Sequence, residues 1–442
     1  MGESKKLLWS RYNLLFQSER NGWLLYNSAS NSFISMADEV AKLLKEVEES
    51  PENMDFSDSP DLYFKLRGGG FLVEEGQDDH FFRILKMRRQ AFYYSSSSLT
   101  LTIALTRDCN FACGYCYEPN RTPSHISDET ENNIIKFIEK RPSIKKIHII
   151  WYGGEPLLDF ERIKSLTKRI KNIGKDYDSG IITNGYLLKP EIIQQLNELN
   201  ISFMQITLDG SKETHDKRRF LKSGGKTFDK IVENMDNLAA SDWRGTLMVR
   251  TNIDTDNKED FASIYRFVEE RYPEKFGKEI YVYPGFVHGE GNPDTNCYFD
   301  SGDKGQFLAM TAKDHGINAL PLFPHLTMGG CTMNRRNAYV AGPNGELYKC
   351  WNDLGIEKEV VGTVDQSAGW NMGLIAEGMI EGSYLEDRAC GQCFFFPICD
   401  GGCAKMRVRN RRDQGNRDTC SYFKKNIKEL LEIHYEQKQR HA

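Results

Sequence analysis

Three cysteines within eight residues, Cys109-Asn-Phe-Ala-Cys113-Gly-Tyr-Cys116, constrain this chain more than any other feature. They follow Leu99-Thr-Leu-Thr-Ile-Ala-Leu105, which alternates and then turns continuously apolar, the pattern of a buried barrel or sheet strand. The thiols therefore fall on the loop at a strand's C-terminal end, where parallel α/β folds place their chemistry. Three thiolates on so short a loop can hold three corners of a cubane iron–sulfur cluster. No fourth cysteine is nearby, so one iron stays open to a ligand that is not protein. The alternative is half of a zinc site. Structural zinc, however, takes four ligands in paired C-x2-C units, and the spacing here is C-x3-C-x2-C.

At 442 residues the chain has room for two or three domains. A net charge of −5 provides no electrostatic footprint for nucleic acid or an anionic membrane. The N-terminal Met-Gly-Glu-Ser-Lys-Lys lacks an apolar signal region, and no apolar run approaches the length of a membrane span. Eleven cysteines without a secretion signal argue for metal ligation rather than disulfides, and the expected location is the cytoplasm.

Residues 1–92 read as a separate unit. Tyr12–Phe16 and Trp23–Tyr26 are short apolar strands joined through Asn21-Gly22, a hairpin signal. Phe33, Met36, Val40, Leu43, Leu44 and Val47 then recur at helical spacing, followed by a short segment at Leu62–Leu66, a Gly68-Gly69-Gly70 turn and a strand at Phe71–Val73. This order suggests a winged helix-turn-helix. Residues 1–75 carry eight Lys and Arg against thirteen Asp and Glu, the wrong charge for DNA. The unit resembles the recognition element of many peptide-modifying enzymes, which docks a leader peptide as an added strand; a purely structural cap is the alternative.

A charged helical linker, Asp79–Phe92, leads to the strand at Leu99. Ser127 is placed to cap a helix whose Ile134, Ile135, Phe137 and Ile138 form its buried face. Further strands are expected at Lys146–Tyr152, Ser179–Thr183, Phe203–Leu208, Thr246–Ile253 and Glu279–Val287, with helical segments between most of them. Repeated strand–helix units mean an α/β fold with a parallel sheet and helices outside. Six strands are too few for a closed eightfold barrel, so an open partial (β/α)6 TIM barrel is expected over residues 93–310.

The C-x3-C-x2-C loop, with Tyr115 before its last cysteine, resembles the signature of radical S-adenosylmethionine (SAM) enzymes, whose fold is such a partial barrel. In that family the open iron chelates SAM, and an electron from the [4Fe-4S] cluster cleaves it to a 5′-deoxyadenosyl radical. Other strand ends carry matching residues. Gly153-Gly154-Glu155-Pro156 resembles the family's segment at the SAM ammonium, and Thr183-Asn184-Gly185 its motif near the ribose. Thr207-Leu-Asp209-Gly210, followed by His215-Asp-Lys-Arg-Arg219, resembles a segment of the peptide-modifying branch. That match implies that Arg219 pairs with the SAM carboxylate. Arg250 and Asn252 are weaker candidates for the adenosine site.

Seven cysteines follow the barrel. Cys331-x13-Gly345-x4-Cys350 precedes Cys390-x2-Cys393-x5-Cys399-x3-Cys403 and finally Cys420. A zinc ribbon uses four ligands, or eight for two ions, and seven fits neither. The pattern resembles the SPASM extension, which binds two auxiliary iron–sulfur clusters and is expected over residues 311–442. By that resemblance Cys390, Cys393, Cys399 and Cys420 hold the second cluster, and Cys331, Cys350 and Cys403 the first. The further cysteine that many relatives carry after the first one is missing from Thr332–Lys349. Either Cys297 supplies that ligand or one iron is open.

The resemblance implies a maturase of ribosomally made peptides, with SAM and three [4Fe-4S] clusters as cofactors. Its partners would be a precursor peptide with a leader and a flavodoxin, ferredoxin or other reductase as electron donor. The expected product is an intramolecular thioether, with a carbon–carbon crosslink as the alternative. A sulfatase maturase, which makes formylglycine, is a further alternative; that group has an Asp directly after the cysteine matching Cys350, where this chain has Trp351, with Asp353 two residues on. A non-catalytic leader-binding adaptor is the reading from another class, and the intact cysteine loop and SAM-site segments speak against it.

Overall fold

The computed structural model describes residues 6–51, 56–57, 59–116, 122–287 and 299–441. These form two compact units, one drawn from residues 1–93, 300–331 and 380–442, the other from 94–299 and 332–379.

The first unit begins with β1 (Leu7–Trp9), then β2 (Asn13–Ser18), β3 (Gly22–Asn27) and β4 (Ser32–Met36), and later β5 (Leu72–Glu74). β2, β3 and β4 form an antiparallel meander, and β1 pairs with β5. Gly22 turns the β2–β3 hairpin at φ 69°, a conformation that costs glycine little. The helix expected to take in Phe33 and Met36 instead begins at Asp38 and runs to Glu49. Phe33 and Met36 lie on β4 opposite Tyr26 and Trp23. The Tyr26–Phe33 ring pair across the strands, at 6.2 Å, competes successfully with an i, i+3 spacing that also suits a helix. Leu62–Leu66 lies in the helix Pro60–Gly68, opened by a proline in its first turn. Leu25, Leu44, Val47, Leu66, Phe71 and Leu72 form the core beneath the meander.

The C-terminal segments belong to this same unit. Tyr26 meets the rings of Phe323 and Phe394 at 5.8 and 6.1 Å. Helices Ser301–His315 and Phe423–His441 approach closely at Gly305, where a Cβ would fall 2.1 Å from Asn426 Nδ2.

The second unit is mixed α/β around a parallel sheet. Its strands are β6 (Ser98–Thr106), β7 (Lys146–Gly153), β8 (Asp176–Ile182), β9 (Ile201–Thr207), β10 (Thr246–Ile253) and β11 (Ile280–Phe286). They pair in sequence order, each parallel to the next. Parallel neighbours need crossovers, and helices such as Asp128–Glu139, Phe160–Asn172, Phe228–Ala240 and Asp260–Arg271 lie between them in the chain. Ser127 caps the first of these, accepting from Thr130 N at 3.0 Å. β6 is buried from Leu99 to Thr106, as its apolar run requires. The sheet continues past β6 through β12 (Ala338–Ala341), β13 (Glu346–Tyr348) and β14 (Gly362–Thr363), an extension the strand periodicity did not reveal.

Candidate functional site

A cavity of about 280 Å³ lies at the C-terminal ends of the parallel strands. Cys109, Cys113 and Cys116 enter it from the loop after β6. Gly153 and Gly154 enter from the end of β7, Thr183 and Asn184 from beyond β8, and Arg250 and Asn252 from β10. Tyr115 and Arg219 also line it. Eleven residues singled out in the sequence thus share one wall.

The glycines are required by the protein itself. A Cβ on Gly153 would fall 2.2 Å from Thr106 O and one on Gly154 would fall 2.1 Å from Asp108 O. Gly154 N donates to Thr106 O at 2.9 Å and Glu155 N to Asp108 O at 3.0 Å, so the end of β7 fixes the cysteine loop through main-chain bonds. Glu155 is fully buried and lies behind the wall with Pro156. Its carboxylate accepts from Leu157 N at 3.0 Å, Thr183 Oγ1 at 2.6 Å and Asn184 N at 2.8 Å. Burial raises its pKa, opposed by those three bonds. Its visible work is to tie the ends of β7 and β8 together. Asn184 carries the tie onward, donating to Asn110 Oδ1 at 2.7 Å, with Cys109 Sγ at 3.9 Å.

On the opposite side Arg219 Nη1 donates to Tyr115 Oη at 2.6 Å, and Asn252 Nδ2 donates to the same oxygen at 3.0 Å. Arg250 Nε donates to Asn252 Oδ1 at 2.7 Å. Gly285 makes room for that guanidinium, since a Cβ there would lie 2.2 Å from Arg250 Nε. Asp209 is fully buried outside the wall. Its Oδ1 accepts from Asn252 N at 3.2 Å, and Oδ2 lies 3.5 Å from Arg218 Nε. His215 Nδ1 accepts from Asp209 N at 3.3 Å, while Nε2 faces Thr227 Oγ1 at 3.1 Å. Thr227 Oγ1 in turn donates to Arg219 O. Burial, then the charges of Arg219 and Arg218, hold His215 well below its usual pKa, so the ring is a neutral clasp setting Arg219's position.

The described lining holds two guanidinium groups and three thiols but no carboxylate. Such a set fits a thiolate-ligated cluster together with a ligand bearing its own carboxylate, because guanidinium pairs with carboxylate through two donors. The rest of the wall includes Phe286, Ile182, Tyr152 and Gln205, not proposed as site residues from the sequence, together with Thr207 and Trp351. The period-two rule, applied back from Thr207, would have found Gln205, since the two share a face of β9 as Arg250 and Asn252 do of β10. Trp351 follows Cys350, and its ring stands 5.1 Å from that of Tyr152. Asp353 is buried and does not line the cavity.

In the first unit, Asp387 accepts from Ala389 N and Cys390 N at 2.9 and 3.2 Å. Arg407 Nη2 points to Cys390 Sγ at 3.6 Å, Gly401 N to Cys399 Sγ at 3.3 Å, and Lys424 Nζ to Cys420 Sγ at 3.3 Å. Bonding to Cys420 raises the Lys424 pKa, with smaller contributions from Cys393 and Cys390. Burial pushes the Cys399 thiol up to about 11. Cys390, Cys393, Cys399 and Cys420 therefore share one neighbourhood. Cations and an N–H directed at sulfur suit thiolates, and a thiol raised by burial ionises when a metal binds it. Cys331 and Cys403 belong to the first unit and Cys350 to the second. Cys297 lies outside the described residues.

Residues 103–268 match the Radical SAM superfamily. Among curated proteins the chain is 24% identical to the radical SAM cyclopropyl synthase TigE of Paramaledivibacter caminithermalis, over 61% of this chain and 63% of that protein, slightly under two thirds of its length. It is 24% identical to a serine-type anaerobic sulfatase-maturating enzyme of Bacteroides thetaiotaomicron, over 69% and 82%. Among solved structures, anSMEcpe with bound AdoMet superposes with a TM-score of 0.58 at 19% identity, over 77% of this chain and 97% of that one. Streptococcus suis SuiB bound to the precursor peptide SuiA superposes with a TM-score of 0.54 at 16% identity, over 95% and 100%. At these identities the structural likeness is one of fold. Among the described residues no helix is long and apolar enough to cross a membrane.

Proposed function

We propose that this radical SAM enzyme is a maturase of ribosomally made precursor peptides, joining a substrate cysteine sulfur to a substrate carbon in an intramolecular thioether. The observation that carries the reading is the N-terminal meander. Among the described residues β4 is paired on one side only, and Ile34 on it is 36% exposed. Such an edge can take a leader peptide as a further strand, and SAM cleavage alone has no use for it. SuiB, bound to a precursor peptide, aligns with this chain over nearly its whole length.

Cys109, Cys113 and Cys116 would hold the SAM-binding cluster, and Cys390, Cys393, Cys399 and Cys420 one auxiliary cluster. Cys331 and Cys403 would serve a further auxiliary cluster, with an iron open for the substrate thiolate. When bound, the reduced cluster and SAM supply a radical able to take hydrogen from an unactivated carbon. The chain's own groups position and enclose. Arg219 offers its guanidinium to the SAM carboxylate, Tyr115 Oη, itself fixed by Asn252, accepts from that guanidinium, and Tyr152, Ile182 and Phe286 exclude water. In net terms the substrate loses one C–H and one S–H and gains a C–S bond. One hydrogen leaves in 5′-deoxyadenosine and one as a proton. The electron donated by a flavodoxin or ferredoxin in the reducing cytoplasm is balanced by the one the substrate releases.

Formylglycine formation is the second reading, favoured by the similarity to sulfatase-maturating enzymes. Trp351 and Asn352, rather than a carboxylate, face the cavity beyond Cys350, which weighs against it. Coexpression with a precursor peptide, followed by alkylation and mass spectrometry, separates the outcomes. A thioether gives loss of two hydrogens and one alkylatable cysteine fewer. A carbon–carbon crosslink gives the same mass with every cysteine still alkylated. Formylglycine gives a carbonyl at a single Cys or Ser.

A further inference from the structure

Helix Gln77–Tyr93 reads in the sequence as a charged linker, yet it carries a buried cation. Arg89 is fully buried. Its Nε and Nη2 donate to Thr327 O at 3.1 and 2.8 Å, Nη1 to Phe396 O at 2.9 Å, and Nη2 also to Pro397 O at 2.9 Å. The rings of Phe396 and Tyr384 stand 4.7 and 5.4 Å from its Cζ. All of these partners are neutral, and among the described residues no carboxylate pairs with it. A buried charge without a counter-charge is strongly unfavourable, and carbonyl dipoles offset only part of the loss of water.

The segments it grips end in cysteines: Thr327 stands four residues before Cys331, and Pro397 two before Cys399. One turn along the same helix, Tyr93 packs against the first segment. A Cβ on Gly330, at φ 85°, would fall 2.3 Å from the Tyr93 ring. A Cβ on Gly329 would lie 3.1 Å from each of Tyr93 Oη, Tyr384 Oη and Asp400 Cα. Tyr384 Oη donates to Cys399 O at 3.2 Å. Helix Gln77–Tyr93 thus ties both cysteine segments together inside one unit.

We propose that Arg89 is a positioning residue for the auxiliary iron–sulfur sites, clamping the segments that end in Cys331 and Cys399, with its charge balanced by the thiolate-ligated clusters held there. The proposal rests on the reading that these cysteines hold clusters. It assigns the linker helix a part in cofactor assembly.

The test is anaerobic reconstitution of the full chain and of Arg89→Met and Arg89→Lys, read by iron per chain and by redox titration followed by electron paramagnetic resonance. Arg89→Met is expected to lose auxiliary iron, keeping about the third that belongs to Cys109, Cys113 and Cys116. Any auxiliary cluster it retains titrates at lower potential, because a nearby positive charge favours the more negative, reduced form. Arg89→Lys keeps the charge without the four carbonyl bonds, so it loses less iron and holds the wild-type potential. Full iron with unchanged auxiliary potentials in Arg89→Met overturns the proposal, as do identical iron and potentials in the two variants. If Arg89→Met takes up no iron, Arg89→Lys decides: wild-type potentials in its remaining auxiliary clusters support the proposal, and lowered ones overturn it. Wild-type protein that binds iron for a single cluster overturns the auxiliary-cluster reading as well.

Discussion

The two units present their thiols by opposite means. In the parallel-sheet unit the cysteine loop is fixed by main-chain bonds from neighbouring segments: Gly154 N to Thr106 O, Glu155 N to Asp108 O and Ala112 N to Phe220 O, each between 2.9 and 3.0 Å. In the other unit the cysteine segments are short or irregular and are held by side chains, Asp387, Tyr384 and Arg407 from close by in the chain and Arg89 from a distant helix. A regular backbone lets a site tolerate side-chain changes but not added backbone bulk. An irregular one depends on its side chains as well, and is no freer to take bulk where glycines such as Gly330 and Gly402 are closely packed.

The largest effect in the sheet unit is therefore expected from a single methyl. Gly154→Ala places a Cβ 2.1 Å from Asp108 O, and the cysteine loop has to move. SAM cleavage is expected to fall about 100-fold, since displacements near 1 Å cost that much at a reacting centre. Iron content should drop by about a third. Unchanged turnover and iron would break the comparison at its strongest point.

A smaller effect is expected at Arg219, whose side chain reaches the cysteine loop through the Tyr115 hydroxyl and leaves the loop's main-chain bonds in place. Arg219→Ala should weaken SAM binding about 100-fold and Arg219→Lys about tenfold, the lysine keeping the charge but not the planar fork. Iron content should stay at the wild-type level in both. Equilibrium binding beside an iron assay checks the pair, and equal affinity in the two variants would remove the bidentate role.

The smallest effect is on stability alone. Glu131 is buried on helix Asp128–Glu139 and accepts from Ser165, Arg169 and Arg162. Burial pushes its pKa up, but these three partners together bring it below the ordinary 4.5. A carboxylate lowered in the folded state contributes stability that is present above its unfolded pKa and lost as pH falls through the folded value. Glu131→Gln should cost about 1–2 kcal/mol at pH 7. Thermal melts should show that gap closing below about pH 4, with SAM affinity unaltered at pH 7.

What could be read in advance follows the same division. The six parallel strands were legible because buried runs and alternation repeat locally, and Thr246–Ile253 has the expected bounds. Most of the cavity wall followed, since parallel strand ends converge on one side. Glu155 and Asp209 were placed by motif, but their carboxylates brace the wall from behind, a distinction that needs three-dimensional contacts. β4 was hidden because Phe33 and Met36 satisfy a helical spacing as well as strand pairing. Arg89 was invisible because its partners are carbonyl oxygens more than 200 residues away, and nothing local marks an arginine as buried.

The most direct measurement compares the dithionite-reduced wild-type chain with Cys109→Ala/Cys113→Ala/Cys116→Ala, counting 5′-deoxyadenosine and methionine released from SAM. The wild type should release both in equal amounts. The triple variant should release neither while keeping about two thirds of the iron. 5′-Deoxyadenosine formation by the triple variant would contradict the assignment of the chemistry to this loop, and so would its absence from a fully reconstituted wild type.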